Sequence, residues 1–263
     1  MAEIHLTDVS MRDGNQSLWG ATGLSTAHML QIAGQVDRVG FRAIDFTSSS
    51  HMAVGGPSFP PNPLGGIRPL PAGTPPPPPQ YITTGLRFIA WQQADPEFMR
   101  LVYRRLQVNG IRKFIMLDPM HDADAVIESA RLVKEEGGAE VMGALTFTLS
   151  AVHDDDFYAN FAAKLAACPD IDCFYLKDPG GLMSPDRVRT LAPKVKAAIG
   201  TKPLEIHAHC TIGYGGLSSL AGGGTGGVHT RQGGIGPPGG GPPPPEAPRL
   251  DEEVLQQVFH ARK

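Results

Sequence analysis

The chain alternates short apolar runs with amphipathic runs of helical spacing. Segments such as IHLTDV, FRAIDFT and IRKFIMLD predict β-strands, and apolar residues three and four positions apart predict helices between them. Asp95-Pro96 and Ser184-Pro185 mark two helix starts as an N-cap followed by proline. Seven clear strands and a weak eighth, GGVHTRQ, therefore predict an α/β protein built as a (β/α)8 TIM barrel. An open doubly wound sheet is the alternative, but no GxGxxG motif follows the first strand.

Two segments interrupt this pattern. Residues 55–79 contain 16 glycines and prolines, and residues 213–248 contain 21. Such stretches cannot propagate a helix, because each proline removes a donor and collides with the preceding turn. We expect these Gly/Pro-rich segments to replace two barrel helices. Either the loops there are long and irregular, or small residues have been assigned where their identity was unclear; the regularity of the remaining barrel favours the second explanation.

Composition excludes several classes of protein. The 263 residues suit one large domain, and a net charge of −3 gives no signature of binding to nucleic acid or to an anionic membrane. No apolar run is long enough to span a membrane, and the N-terminus lacks a signal-peptide pattern. Three cysteines without a CxxC pair fit a reducing compartment, so we expect a cytoplasmic protein.

Polar residues cluster at the ends of three predicted strands. Catalytic groups of barrel enzymes lie at the carboxyl ends of the strands, so clusters distant in sequence are expected to converge on one mouth. The residues are Arg12, Asp13 and Gln16 after the first strand, Lys177 and Asp178 at the end of the sixth, and His207 and His209 on the seventh.

The pair His207 and His209 is the sharpest of these signals. Residues i and i+2 of a strand share a face, so both imidazoles can reach one divalent ion, to which Asp13 would add an oxygen. Lys177 follows three apolar residues, and desolvation should lower the pKa of its amine. It could then act as a base or a Schiff-base nucleophile, or take up CO2 as a metal-binding carbamate. The alternative is an ion pair with Asp178 or Asp13.

Three motifs resemble one enzyme family. TDVSMRDGNQSLWGAT is similar to the first-strand signature of the metal-dependent carboxyltransferase barrels, which include the carboxyltransferase domain of pyruvate carboxylase and the oxaloacetate decarboxylase alpha subunit. FYLKDPGGLM resembles the strand-six motif of that family, and EIHAHCTIG resembles its strand-seven HxH motif. The likeness runs through about residues 3–54 and 80–213. It implies a barrel over residues 1–245, with residues 246–263, which include LDEEVLQQVFHARK, beginning a helical extension.

The resemblance also implies a set of roles. Asp13, His207, His209 and Lys177 as a carbamate would hold a divalent metal of the Zn, Mn or Co class. Arg12 and Gln16 would face the substrate and its enolate, with Lys177 also counted as catalytic.

The chain departs from the pyruvate-using members at three places. Where they have an arginine-glycine pair that grips the pyruvate carboxylate, this chain has Thr84-Gly85, and Arg87 can substitute only if the strand ends or bulges there. Cys210 replaces an aspartate after the HxH motif. GGIGPPGGG stands where a proton-transferring threonine is expected. We therefore expect pyruvate to be a poor acceptor and the acceptor to be larger or to lack a carboxylate at that end.

Three functions compete at this point. The first is a carboxyltransferase component of a biotin-dependent carboxylase or decarboxylase, moving CO2 between carboxybiotin and a small keto acid or related carbonyl compound. The resemblance then implies a separate biotinyl carrier protein, a biotin carboxylase subunit and a homo-oligomer or larger assembly. The second is a biotin-independent aldol lyase or Claisen-type synthase of the same superfamily. The third is a catalytically inactive structural subunit, against which the intact set of metal ligands argues.

Overall fold

The computed structural model describes residues 5–58, 78–88, 92–223 and 228–232. The expected helical extension at 246–263 and much of both Gly/Pro-rich segments lie outside the described residues. None of the helices in the described ranges combines the length and the apolar character needed to cross a membrane.

The described strands form a curled, wholly parallel sheet. Each strand pairs with the next along the chain, and β8 pairs with β1, so that these pairings close a barrel. The predicted α/β class and parallel sheet are confirmed. The strands are β1 (Leu6–Asp8), β2 (Ala43–Ser48), β3 (Pro79–Thr83), β4 (Lys113–Met116), β5 (Glu140–Thr146), β6 (Cys173–Asp178), β7 (Leu204–Ala208) and β8 (Val228–Gln232).

Helices follow the strands, as a βα succession requires. A π-helix at Ser10–Gly14 leads directly into the first α-helix. The α-helices are α1 (Asn15–Trp19), α2 (Thr26–Val39), α3 (Ser49–Ser58), α4 (Pro96–Val108), α5 (Ala123–Gly137), α6 (Asp155–Ala166), α7 (Pro185–Ile199) and α8 (Gly215–Gly223).

One expectation about the helices is corrected. The second Gly/Pro-rich segment does not replace the helix after β7, because Gly215–Gly223 form α8. Tertiary packing outweighs the low helix propensity of glycine here, since Gly222 lies against Ile206 and Val188, where a Cβ would collide with Ile206. α3 also follows β2 in its expected place, beginning before the first Gly/Pro-rich segment and reaching Ser58.

Side-chain caps begin the helices where the sequence indicates. Asp95 accepts a hydrogen bond from the backbone N–H of Glu97, and Ser184 accepts one from Arg187, with proline beginning each helix. α7 continues through Pro193, which lies inside the helix. These helices are therefore set by local chemistry as well as by packing.

Alternation along the strands sorts the side chains into two cores. Phe114, Val141 and Phe174 belong to the larger cluster, which packs the sheet against the helices. Ile115, Met142 and Tyr175 have the opposite parity and form a smaller cluster that fills the barrel interior. Lys177 lies two positions after Tyr175 on β6, so its side chain also faces the barrel interior. It pairs in register with His207 and therefore lies at the same mouth of the barrel as the end of β7.

Candidate active site

The π-helix after β1 places Asp13 at the mouth of the barrel. The backbone N–H groups of Asp13 and Gly14 both donate to the carbonyl oxygen of Val9, at 2.9 and 3.0 Å. This wide turn leaves Arg12 and Asp13 only 4% exposed each. Single π-turns are frequent at functional sites, because they redirect side chains without ending the helix.

The two histidines of β7 and the loop that follows it converge on this carboxylate. Nε2 of His207 lies 2.8 Å from Oδ2 of Asp13, and Nε2 of His209 lies 3.1 Å from the same oxygen. Their rings are 5.1 Å apart and nearly perpendicular. The two-residue spacing thus brings both ring nitrogens to one point, as the sequence predicts.

These three atoms have the character of metal ligands. Asp13 Oδ2 and both Nε2 atoms are buried, and apart from their close approaches to one another they have no hydrogen-bond partner in the described part of the chain. Their ligand atoms lie within 4.8 Å of one another, in the one group of three or more such residues found among the described positions. Buried polar atoms left without a hydrogen-bond partner are costly, so a cation between them would satisfy all three. The residues therefore fit a divalent metal.

The protonation states suit the same chemistry. Burial opposes ionisation of Asp13, but the charges of Arg12 and Lys177, with the two histidines, hold the pKa of this carboxyl well below its usual range. Burial, reinforced by the charge of Lys177, lowers the pKa of His207 to about 3. Asp13 is therefore anionic and His207 neutral near pH 7, which are the forms that bind metals.

Arg12 is fixed by two carboxylates. Its Nε donates to Asp45 Oδ2 at 2.8 Å, its Nη2 donates to the same oxygen, and its Nη1 donates to Asp13 Oδ1 at 2.9 Å. Burial opposes the charge on Arg12, but Asp13 and Asp45 together raise the pKa of the guanidinium. Asp45 is not among the site residues predicted from the sequence, although an acid within the apolar strand AIDFTS was an available signal.

The loops after β6 and β7 are tied together beside this cluster. Asp178, the last residue of β6, accepts hydrogen bonds from the backbone N–H groups of Leu182 and Met183, at 2.9 and 2.7 Å. Thr211 donates to the carbonyl oxygen of Gly180 at 2.7 Å, and the N–H of His209 donates to the carbonyl of Asp178 at 2.9 Å. Both carboxylate oxygens of Asp178 therefore serve to hold the loop.

A cavity of about 310 Å³ opens above the cluster. The structure brings most of the predicted site residues to it, but not Arg87. That residue is exposed, lies on the turn after β3 and is absent from the described lining, whereas Thr84 is buried and lines the cavity. His207 lies behind the lining, with 1% of its surface exposed. The predicted residues that do line the cavity are Arg12, Asp13, Gln16, Lys177 and His209.

Comparison with known proteins finds two relatives that share one protein name. No family model matches the chain. It is 29% identical over 217 residues to a pyruvate carboxylase subunit of Methanocaldococcus jannaschii, covering 82% of this chain and 38% of that protein. It is also 29% identical over 228 residues to the subunit of the same name from Methanothermobacter thermautotrophicus, covering 84% of this chain and 38% of that protein.

Solved structures agree on the fold. The carboxyltransferase domain of Rhizobium etli pyruvate carboxylase, solved with oxamate and biotin, superposes with a TM-score of 0.80 at 20% identity, covering 88% of this chain and 40% of that one. The same domain solved with pyruvate and biocytin matches with a TM-score of 0.80 at 21% identity.

The chain resembles the carboxyltransferase domain of pyruvate carboxylase. The resemblance that the sequence motifs predict is thereby confirmed. The chain spans under two-fifths of the length of these pyruvate carboxylase subunits, at 38% in both cases.

Proposed function

We propose that the chain is the metal-dependent carboxyltransferase component of a biotin-dependent carboxylase or decarboxylase. It would move CO2 between carboxybiotin and a small keto acid or related enolisable carbonyl compound. One observation carries this proposal: the convergence of Asp13, His207 and His209 beneath a cavity that is also lined by Arg12 and Lys177.

Each residue of the cluster has a role in this proposal. Asp13, His207 and His209 would hold the metal, and Lys177 as a carbamate would complete the set. A divalent ion of the Zn, Mn or Co class, when bound, would supply a Lewis acid for the carbonyl of the acceptor. Arg12 would face the enolate with hydrogen-bond donors fixed in advance by Asp45. Gln16, whose Oε1 is buried and without a hydrogen-bond partner among the described residues, would orient the acceptor.

The proposal extends to the fold and the partners. We take the complete domain to be a (β/α)8 TIM barrel over residues 1–245, with residues 246–263 beginning a helical extension. Carboxybiotin would come from a biotinyl carrier protein, charged by a biotin carboxylase subunit, within an oligomeric assembly. The names of the two archaeal relatives support this arrangement, since each is a subunit of a carboxylase.

The test is biotin-dependent turnover. The protein loaded with each candidate metal is incubated with oxaloacetate, with and without biotin, and CO2 release is measured. We expect release that is stimulated by biotin and lost in Asp13→Asn, with folding checked by circular dichroism. Cleavage of a carbon–carbon bond with no biotin dependence would instead favour the aldol lyase or synthase function. A fully folded protein that binds no divalent metal would contradict both enzyme functions.

A further inference from the structure

The amino end of α3 faces the cavity from the side opposite Lys177's strand. Ser48 ends β2 and caps α3, because its hydroxyl accepts a hydrogen bond from the N–H of His51 at 3.2 Å and pairs with the His51 ring at 2.9 Å. The next two residues, Ser49 and Ser50, form the first turn of this ten-residue helix and line the cavity. The first turn of a helix carries N–H groups without intrahelical acceptors and a partial positive charge.

Two buried hydroxyls point to a ligand at the same place. Ser49 is 6% exposed and Thr84 is 5% exposed, and both line the cavity. The Ser48 hydroxyl is engaged by His51, whereas no hydrogen bond of the Ser49 or Thr84 hydroxyl is found within the described residues. Both residues line the cavity beside the helix terminus, so their hydroxyls can donate to an anion that enters it.

Neither Arg12 nor Arg87 is placed to bind a substrate carboxylate through its guanidinium group. Arg12 already directs three of its nitrogens at Asp13 and Asp45. Arg87 is exposed and lies outside the described lining of the cavity. A carboxylate that enters the cavity therefore meets no unengaged guanidinium fork in the described structure, but it does meet the amino end of α3.

We propose that the first turn of α3, with the hydroxyls of Ser49, Ser50 and Thr84, is the subsite for the carboxylate of a small 2-oxo acid. This inference rests on the proposed function. It identifies the acceptor of the proposed carboxyltransferase as a small 2-oxo acid. Pyruvate is expected to be a poor acceptor only if an arginine is the sole group that can bind its carboxylate. A helix terminus with hydroxyl donors supplies the same recognition by other means.

The first experiment uses a charge placed inside the subsite. Ser50→Asp puts a carboxylate in the first turn of α3, where an acidic residue favours the helix. Ser50→Asn is the matched neutral control. We measure the binding of pyruvate and of its neutral amide, pyruvamide, to metal-loaded protein by calorimetry. Ser50→Asp should weaken pyruvate binding at least about tenfold and leave pyruvamide nearly unchanged, whereas Ser50→Asn should retain most pyruvate binding.

The second experiment removes the hydroxyls. Ser49→Ala and Thr84→Val should each weaken pyruvate binding about five- to tenfold, with metal content and unfolding midpoint retained. Equal binding of pyruvate and pyruvamide by the unmodified protein would overturn the subsite, as would loss of pyruvate binding in Arg87→Gln but in none of the serine and threonine variants. Metal content and biotin-stimulated turnover are measured in parallel, so a failed subsite is distinguishable from a failed carboxyltransferase assignment.

Discussion

At the scale of single residues, Asp13 organises the site through both of its oxygens. Oδ1 accepts from Arg12 at 2.9 Å, and Oδ2 is the atom on which His207 and His209 converge. One carboxylate thus joins the positive group proposed to face the substrate to the nitrogens proposed to hold the metal. Its lowered pKa keeps it anionic for both roles.

Removal of either histidine should empty the metal site. His207→Ala or His209→Ala leaves three of the four proposed protein ligands, and we expect metal occupancy to fall at least about tenfold, because a site that loses a ligand opens to water. Elemental analysis after gel filtration measures the occupancy. His28→Ala is the control, since His28 is exposed on α2 and should leave the metal content unchanged. Stoichiometric metal in the double variant His207→Ala/His209→Ala would contradict the assignment.

Lys177 should make metal binding depend on bicarbonate. Its amine would attack CO2 and lose a proton to form a carbamate, which adds an anionic oxygen beside Asp13. Lys177→Ala should therefore lose most metal and activity, and acetate should restore part of both. Metal content is titrated against bicarbonate concentration, with Lys164→Ala on the exposed face of α6 as the control. Full metal occupancy with an unmodified Lys177, shown by intact mass, would refute the role.

Sequence reasoning reaches some of these residues and misses others for a physical reason. His207 and His209 are predictable because a strand has a fixed two-residue period. Asp13 is predictable because it follows the first strand at the same end of the barrel, and the resemblance implies the same role for it. Asp45 is not found, because its contact with Arg12 spans 33 positions and depends on the closed sheet. Arg87 is chosen for its charge, but the positive φ of Gly85 turns the chain so that Thr84, not Arg87, lines the cavity.

At the scale of elements, the loops after β6 and β7 hold the HxH segment in place. Gly181 has a φ of +67°, and a Cβ there would overlap both Thr211 Oγ1 and the carbonyl oxygen of His209. Only glycine permits this close approach, because the loop packs against the backbone of a proposed ligand. The geometry of the proposed metal site is thus fixed partly by Gly181, which is not one of the proposed ligands.

Gly181→Ala should therefore harm both stability and metal binding. We expect a loss of roughly 3 kcal/mol in the free energy of unfolding, from the left-handed backbone and the overlap together. Metal affinity should fall as His209 shifts. Gly138→Ala is the matched control, since Gly138 has a left-handed backbone with a φ of +72° and open space around the position that a Cβ would take. It should lose only about 1 kcal/mol and keep its metal affinity; equal effects of the two would contradict the account.

Some helices and strands are predictable from the sequence and others are not. Strand ends and capped helices such as α4 and α7 are predictable, because their signals lie within a few residues. The π-helix at Ser10–Gly14 and the glycine-rich α8 are not, because neither has a local propensity for its conformation. Both are held by the barrel around them, and the π-helix carries Arg12 and Asp13 of the proposed active site.

At the scale of the whole molecule, the charged groups at the two ends of the barrel have different roles. Lys177 and the HxH segment lie at the carboxyl ends of the strands, at the cavity. Near the amino ends, Lys113 pairs with Glu205 at 2.8 Å and with Glu140 at 2.9 Å. Lys113 and Glu205 are 2% and 1% exposed. Polar groups at the amino-terminal end of a barrel serve stability rather than catalysis.

This division predicts that stability and metal binding can be changed separately. Glu205→Gln removes one of the two carboxylates that pair with the buried Lys113, and we expect a loss of about 3 kcal/mol in the free energy of unfolding, measured by urea denaturation. The double variant Lys113→Met/Glu205→Leu should be more stable than Glu205→Gln, because it removes both buried charges.

Metal content should stay at the level of the unmodified protein in every one of these variants that folds. The reason is that the ion pairs of Lys113 lie at the opposite end of the barrel from Asp13. Lys194→Met provides the comparison at the surface: it breaks an ion pair with Asp156 between exposed side chains and should leave the denaturation midpoint unchanged. A Glu205→Gln protein as stable as the unmodified one, or one that loses metal while remaining folded, would show that the two ends of the barrel are not independent.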